Sequence, residues 1–224
     1  MKADLMQFSV VIAGNVHNPS LLNPDFLTVR RIVPEDWGWK ILEPVIVTPP
    51  IATVRYSSGV SITVEHNKLQ IVDVGSERVP SKSKALDIAR GYVKTLPHIR
   101  YTAVGANFQS VVDVTAPESF LMDRFLKPGT WNSSPHPLNA LGLRLVYSLE
   151  GGRIVLSLDS GLAESVVEGK KSSRPVIAAN ANFHREWPEV YPADQNVLNC
   201  LDKIVMDFTK YNSLLGATLG LDKG

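Results

Sequence analysis

Phe26-Leu27-Thr28-Val29-Arg30-Arg31-Ile32-Val33-Pro34-Glu35-Asp36-Trp37 has a partner 94 residues on, in Phe120-Leu121-Met122-Asp123-Arg124-Phe125-Leu126-Lys127-Pro128-Gly129-Thr130-Trp131. Phe, Leu, Arg, Pro and Trp recur without a gap as F-L-x2-R-x3-P-x2-W, and Ile32 is matched by Leu126. A spacing kept over twelve positions reads as one structural unit used twice. The expected boundaries are residues 1–98 for the first pseudo-repeat and 99–224 for the second, together one compact domain.

Working outward from each copy gives the same succession of elements. Upstream of the first, Gln7 to Ala13 is rich in valine and isoleucine and reads as a strand. Asn23-Pro24-Asp25 supplies an N-cap, a proline at the first helical position and an acid in the first turn. The helix stops before Pro34, whose ring forbids continuation. In the second copy Thr115-x-x-Glu118 reads as a capping box around Pro117, with a helix to Lys127. Both copies thus pass from a short helix into a loop carrying tryptophan.

Downstream lie strands at Pro44 to Thr48, Ala52 to Ser57, Val60 to His66 and Leu69 to Val74, with turns at Ser58-Gly59 and Asn67-Lys68. The second copy offers Arg100 to Gln109, then Leu141 to Leu149 and Arg153 to Ser160 around Glu150-Gly151-Gly152, and a strand from Pro175 to His184. Glu168 to Ser173 is polar and reads as an exposed loop. Each copy closes with a longer helix: one capped by Ser83 and running to about Leu96, the other from about Asp194 to Leu215. In the latter Val197, Leu201, Ile204, Phe208, Tyr211 and Leu215 recur at spacings of three and four.

The expected fold is therefore α+β: duplicated β-α-β(3-4)-α units forming one curved antiparallel sheet with two long helices on one face. This order of elements is similar to that of the TATA-binding-protein class. The resemblance implies a sheet covered by helices on one side and open on the other; it implies no function by itself.

Strand alternation separates the two faces. Ile177, Ala179, Ala181 and Phe183 alternate with Asn180, Asn182 and His184. Val104, Ala106 and Phe108 alternate with Tyr101, Gly105, Asn107 and Gln109. Val60, Ile62 and Val64 alternate with Ser61, Thr63 and Glu65. The second set makes a face that is polar but uncharged in its middle. Asn107, Asn180 and Asn182 are its candidate contacts, and Arg55 and Arg144 are the basic residues placed on it. The tripeptide Ala-Asn-Phe occurs at 106–108 and again at 181–183.

Composition narrows the function classes. A formal net charge of +1 lacks the basic excess of a nonspecific nucleic-acid binder. The single cysteine, Cys200, allows no internal disulfide and reads as a small buried residue, so a reducing, cytoplasmic setting is expected. No apolar run reaches the ~20 residues of a membrane helix. The five histidines show no metal-ligand spacing, and the phosphate-loop, dinucleotide, zinc-protease and nucleophile-elbow patterns do not occur. No metal and no cofactor is expected.

The remaining candidates are few. His184-Arg185-Glu186 ends a strand and is the densest polar cluster, a place for a general base. Trp39, which has no counterpart in the second copy, is the exposed-contact candidate. Trp37 and Trp131 read as plugs of the helix-to-sheet loop. Arg30 and Arg124 read as partners of a carboxylate or of carbonyls at the end of their short helices. His136 sits in the stiff Ser134-Pro135-His136-Pro137 loop. The favoured expectation is a non-catalytic module that binds another protein or a second copy of itself. The alternatives are nucleic-acid binding on the polar face, helped by Lys170-Lys171 and Arg30-Arg31, and an enzyme at His184.

Overall fold

The structure, a computed structural model, describes residues 2–130, 136–167, 170–188 and 190–221, with the backbone alone for 165–167 and 170. Its strands are β1 (Ala3–Asn15), β2 (Ile41–Val47), β3 (Ile51–Tyr56), β4 (Val60–Glu65), β5 (Lys68–Asp73), β6 (Arg100–Asp113), β7 (Leu143–Leu149), β8 (Gly152–Val167) and β9 (Lys170–Glu186). Four α-helices accompany them: α1 (Pro24–Val29), α2 (Ala85–Thr95), α3 (Pro117–Phe125) and α4 (Asp194–Leu219). All nine strands join one open antiparallel sheet in the order β2-β3-β4-β5-β1-β6-β9-β8-β7. The strands before residue 74 form one arm and those after residue 99 the other. They meet at the β1–β6 pairing, where Phe8 faces Phe108 and Val10 faces Ala106.

Local chemistry accounts for most boundaries. Asn23 Oδ1 accepts from Phe26 N at 2.8 Å, and Pro24 opens α1 as its fixed φ favours. Ser83 Oγ accepts from Ala85 N at 3.1 Å and donates to buried Asp73 at 2.5 Å, so the cap of α2 also ties that helix to β5. Gly59 (φ +88°) and Gly151 (φ +71°) turn the β3–β4 and β7–β8 hairpins, where a side chain would be strained.

The helices lie on one face. α2 packs on β1 and β5, α4 on β6 and β9, and α3 on β8 and β9. Beneath α4 an aromatic row crosses three strands: Phe8 and Phe108 at 5.7 Å, and Phe108 and Phe183 at 5.5 Å. Phe208 and Tyr211 of α4 close on Phe108 at 5.3 and 5.4 Å. Aromatic burial of this kind is the largest single apolar contribution to such a core. Leu27 and Leu121, the equivalent leucines of the repeated pattern, are both fully buried.

Four expectations are corrected. The capping box at Thr115 does not form: α3 starts at Pro117, with Ala116 at its cap and no side-chain cap bond. Residues 170–173 are strand, because β8 and β9 continue past the sheet body in register, Ser165 opposite Ser172 and Val166 opposite Lys171. Lys171 thus belongs to a long hairpin arm, and Glu168 and Gly169 lie outside the described residues. Tyr101 is not on the open face. The register of β1 on β6 slips between Ala13 and Gly14, which turns Tyr101 into the core against His17, where it is fully buried. Finally, Arg55 and Arg144 are not the only basic residues on that face. Lys68 shares Ala13's side of the sheet and Arg153 faces His184, so both present there too.

Candidate functional site

The face left bare by the helices is built from strand rows. One row runs Leu42, Arg55, Ser61, Val72, Ser9, Asn107, Asn182, Val155 and Val146, each opposite the next. Beside it lies Gln7, Gln109, Asn180, Ser157 and Arg144. At its centre the amides form a chain across three strands. Asn182 Nδ2 donates to Asn107 Oδ1 at 2.6 Å, and Asn107 Nδ2 donates to Ser9 Oγ at 3.2 Å. Each asparagine keeps further hydrogen-bonding capacity directed outward. Gln109 and Asn180, beside them, are exposed.

Charge lies away from the amides: Asp113 and Arg174 pair at the far end of β6 and β9, and further charged groups lie on the arms. Arg55 and the Glu65–Lys68 pair (3.1 Å) lie on the β2–β5 arm. Arg144, Arg153, Asp159 and the His184–Glu186 pair lie on the β7–β9 arm. An apolar margin follows at β2, where Leu42 and Ile46 face the same way as Arg55 and Thr53.

The strand-end cluster is divided by the sheet. His184 Nε2 lies 3.1 Å from Glu186 Oε2 on the open face, and this hydrogen bond holds the Glu186 carboxyl below the usual range. Arg185, one residue between them, points through to the helix side. There it makes a two-pronged bond to Asp207 of α4, Nη1 to Oδ2 at 2.6 Å and Nη2 to Oδ1 at 2.8 Å. Both partners are buried. Three residues contiguous in sequence therefore serve two different surfaces.

Trp39 is half-buried on the helix side, 4.8 Å from Trp37 and 5.6 Å from Tyr56, so the sheet separates it from the asparagines. Trp37 also carries Lys84 over its ring at 5.3 Å; Trp131 lies outside the described residues. The repeated arginines differ. Arg30 is exposed at the end of α1, whereas Arg124 Nε donates to Thr218 O at 2.5 Å and caps carbonyls of α4 rather than of its own helix. His136 is exposed. Cys200 is buried against α4's sheet side, and burial pushes its thiol pKa up, the opposite of an activated nucleophile. Among the described residues no group of three His, Cys, Asp or Glu is placed to hold a metal. Nor is any described helix long and apolar enough to cross a membrane.

Residue alternation had already put Asn107, Asn180, Asn182, His184, Arg55 and Arg144 on one face, and the register brings them together. Ser9 and Gln7 complete that surface. The signal for them lay in β1 itself, where Gln7 and Ser9 alternate with Phe8, Val10 and Ile12. No protein-family model matches the chain, and no curated protein is similar to it.

Proposed function

We propose that the protein is a non-catalytic binding or assembly module that recognises a protein partner, or a second copy of itself, through the open sheet face. The observation that carries this reading is the apolar margin of that face. Leu42 and Ile46 of β2 and Ile51 at the start of β3, whose strand partners Arg55, Thr53 and Glu65 lie on that face, are 36–46% exposed at the outer end of the sheet. Exposed apolar side chains gathered in one patch mark interaction surfaces, whereas single ones need no explanation. Pro44 lies in the register break of β2 and blunts ladder extension by another strand, so docking there is through side chains. Across β3, β4 and β5 from it, the amide chain adds a polar, hydrogen-bonding surface of the kind that protein interfaces carry.

The two arms support a second part of the same proposal, that they are copies of one unit in the order seen in the TATA-binding-protein class. Its support is the repeated sequence pattern, the buried leucine at the same place in each copy, and a sheet that runs outward from the seam as β1-β5-β4-β3-β2 on one side and β6-β9-β8-β7 on the other.

Ile46→Lys tests the binding reading. The side chain is exposed, so stability is expected to change by no more than about 0.5 kcal/mol. Light scattering and partner capture are expected to show loss of the self-association or of the partner held by the unaltered protein. An unaltered protein that is monomeric at high concentration and holds no protein partner would sink the reading.

A nucleic-acid reading draws on Arg55 and Lys68 on one arm and Arg144 and Arg153 on the other, with uncharged amides between them. A salt titration with duplex and single-stranded probes decides it, because phosphate contacts would weaken steeply with salt.

A further inference from the structure

On the helix side, away from the open face, β5 ends while β1 continues. Pairing with β5 covers Phe8–Ala13 of β1, whereas pairing with β6 extends to Ala3. The stretch Ala3–Gln7 therefore has a strand on one side only. Leu5 O, which accepts from Arg78 Nε at 2.5 Å, points to the unoccupied side. Backbone groups alternate along a strand, so Ala3 N–H, Ala3 C=O and Leu5 N–H point there as well. Opposite this free edge stands the C-terminal half of α4. Between them runs a groove of about 1500 Å³ whose walls include Leu5, Arg78, Phe208, Leu215, Gly216 and Leu221. That volume exceeds the roughly 300–1,000 Å³ of small-molecule sites and suits a chain segment.

Arg78 gives the groove polarity. Its guanidinium bridges Leu5 O and Gly75 O (Nη1, 2.7 Å), filling the place the next residue of β5 would occupy. It has no carboxylate partner among the described residues, and its Nη2 is not used in either bond. Lys2 lines the same groove, as does a single acid on that strand, Asp4. A positive group fixed in line with an added strand favours a main-chain carboxylate at that end and opposes an amino terminus.

We propose that this groove takes the free C-terminal segment of a partner protein, added as an extended strand alongside Ala3–Leu5, with its terminal carboxylate on Arg78 and its inward side chains against Phe208 and Leu221. This deepens the reading of the protein as a protein-binding module and rests on it. Strand edge and helix together supply what peptide recognition by strand addition needs: ladder bonds for affinity and a side-chain groove for selectivity.

The test is selection of a phage library of random octapeptides displayed with free C-termini, followed by fluorescence anisotropy on the selected peptides. Selected sequences are expected to be apolar near the terminus. Amidating that terminus, or Arg78→Gln, is expected to weaken binding by about tenfold or more, the loss of a charge-assisted bond. Gly216→Leu separates binding from folding. A side chain there meets nothing within 4 Å, so it projects into the groove, and leucine favours helix over glycine. That variant is expected to melt no lower and to lose the peptides. Amide exchange at Ala3 and Leu5 is expected to slow when peptide is added. Failure to select any peptide, indifference to amidation, or binding that survives Gly216→Leu overturns the proposal. If those outcomes accompany self-association or partner binding that Ile46→Lys abolishes, the open-face reading stands and the groove alone is refuted. If groove peptides bind while Ile46→Lys changes nothing, the reverse holds.

Discussion

His17 Nδ1 lies 3.1 Å from Tyr92 Oη, while its Nε2 is buried without a partner. Burial among Tyr92, Tyr101 and the β1–β6 seam lowers its pKa from 6.5 to about 4. The folded state therefore holds the ring neutral, and the unfolded chain binds the extra proton. The stability this contributes is full above about pH 6.5, declines as pH falls through the window to about 4, and is lost below it. Its size is about 3 kcal/mol. Urea unfolding of the protein and of His17→Gln across pH 8 to 4 checks this; the difference between the two should shrink the slope in that window. A slope unchanged by the substitution would show that carboxylates alone set the acid limit. Nothing in the sequence around His17 marks it as buried. It follows Val16, which is 81% exposed, and its environment comes from residues 75 and 84 positions away.

At the scale of elements, Arg185 and Asp207 join β9 to α4. Removing one partner of a buried pair leaves the other charge uncompensated, so Asp207→Leu or Arg185→Met alone is expected to cost about 3–5 kcal/mol. Replacing both, as Arg185→Met with Asp207→Leu, should recover most of that loss. Chemical denaturation of the four proteins of this cycle measures it; equal losses in the single and double variants would contradict the argument. The sequence carried half of this contact. Periodicity placed the apolar stripe of α4, but Asp207 sits next to Phe208 in that stripe and has no local reason to be buried. Only the opposite-facing Arg185 supplies one. The same limit explains the corrections in the sheet. Alternation assigns faces within a strand, yet a slip opposite Ala13 and Gly14 reverses Tyr101, and only the partner strand β1 reveals it.

The whole molecule is joined at the β1–β6 seam, where residues from Ala3 to Asn15 pair with Val112 to Arg100. Cutting the chain between 98 and 99 would leave a long unpaired strand at the edge of each half and strip α4 from its contact with α2. Each half expressed alone is therefore expected to be unfolded or aggregated, and coexpression to restore the complex. Circular dichroism and gel filtration of the separate and mixed halves check this. A half that melts cooperatively by itself would show that each arm is an independent domain.

Helix starts and stops, hairpin turns and the polar and apolar faces of most strands were determined by the chain alone. They rest on proline geometry, caps, glycine at positive φ and side-chain period, all of which act over a few residues. Tertiary structure decided what depends on residues far apart in sequence: the nine-strand order, the amide chain from Ser9 through Asn107 to Asn182, and the division of His184, Arg185 and Glu186 between two surfaces. It also decided that β5 ends before β1 and so opens a groove under α4. Those features arise from strand register and packing, and no local pattern encodes which strand lies beside which.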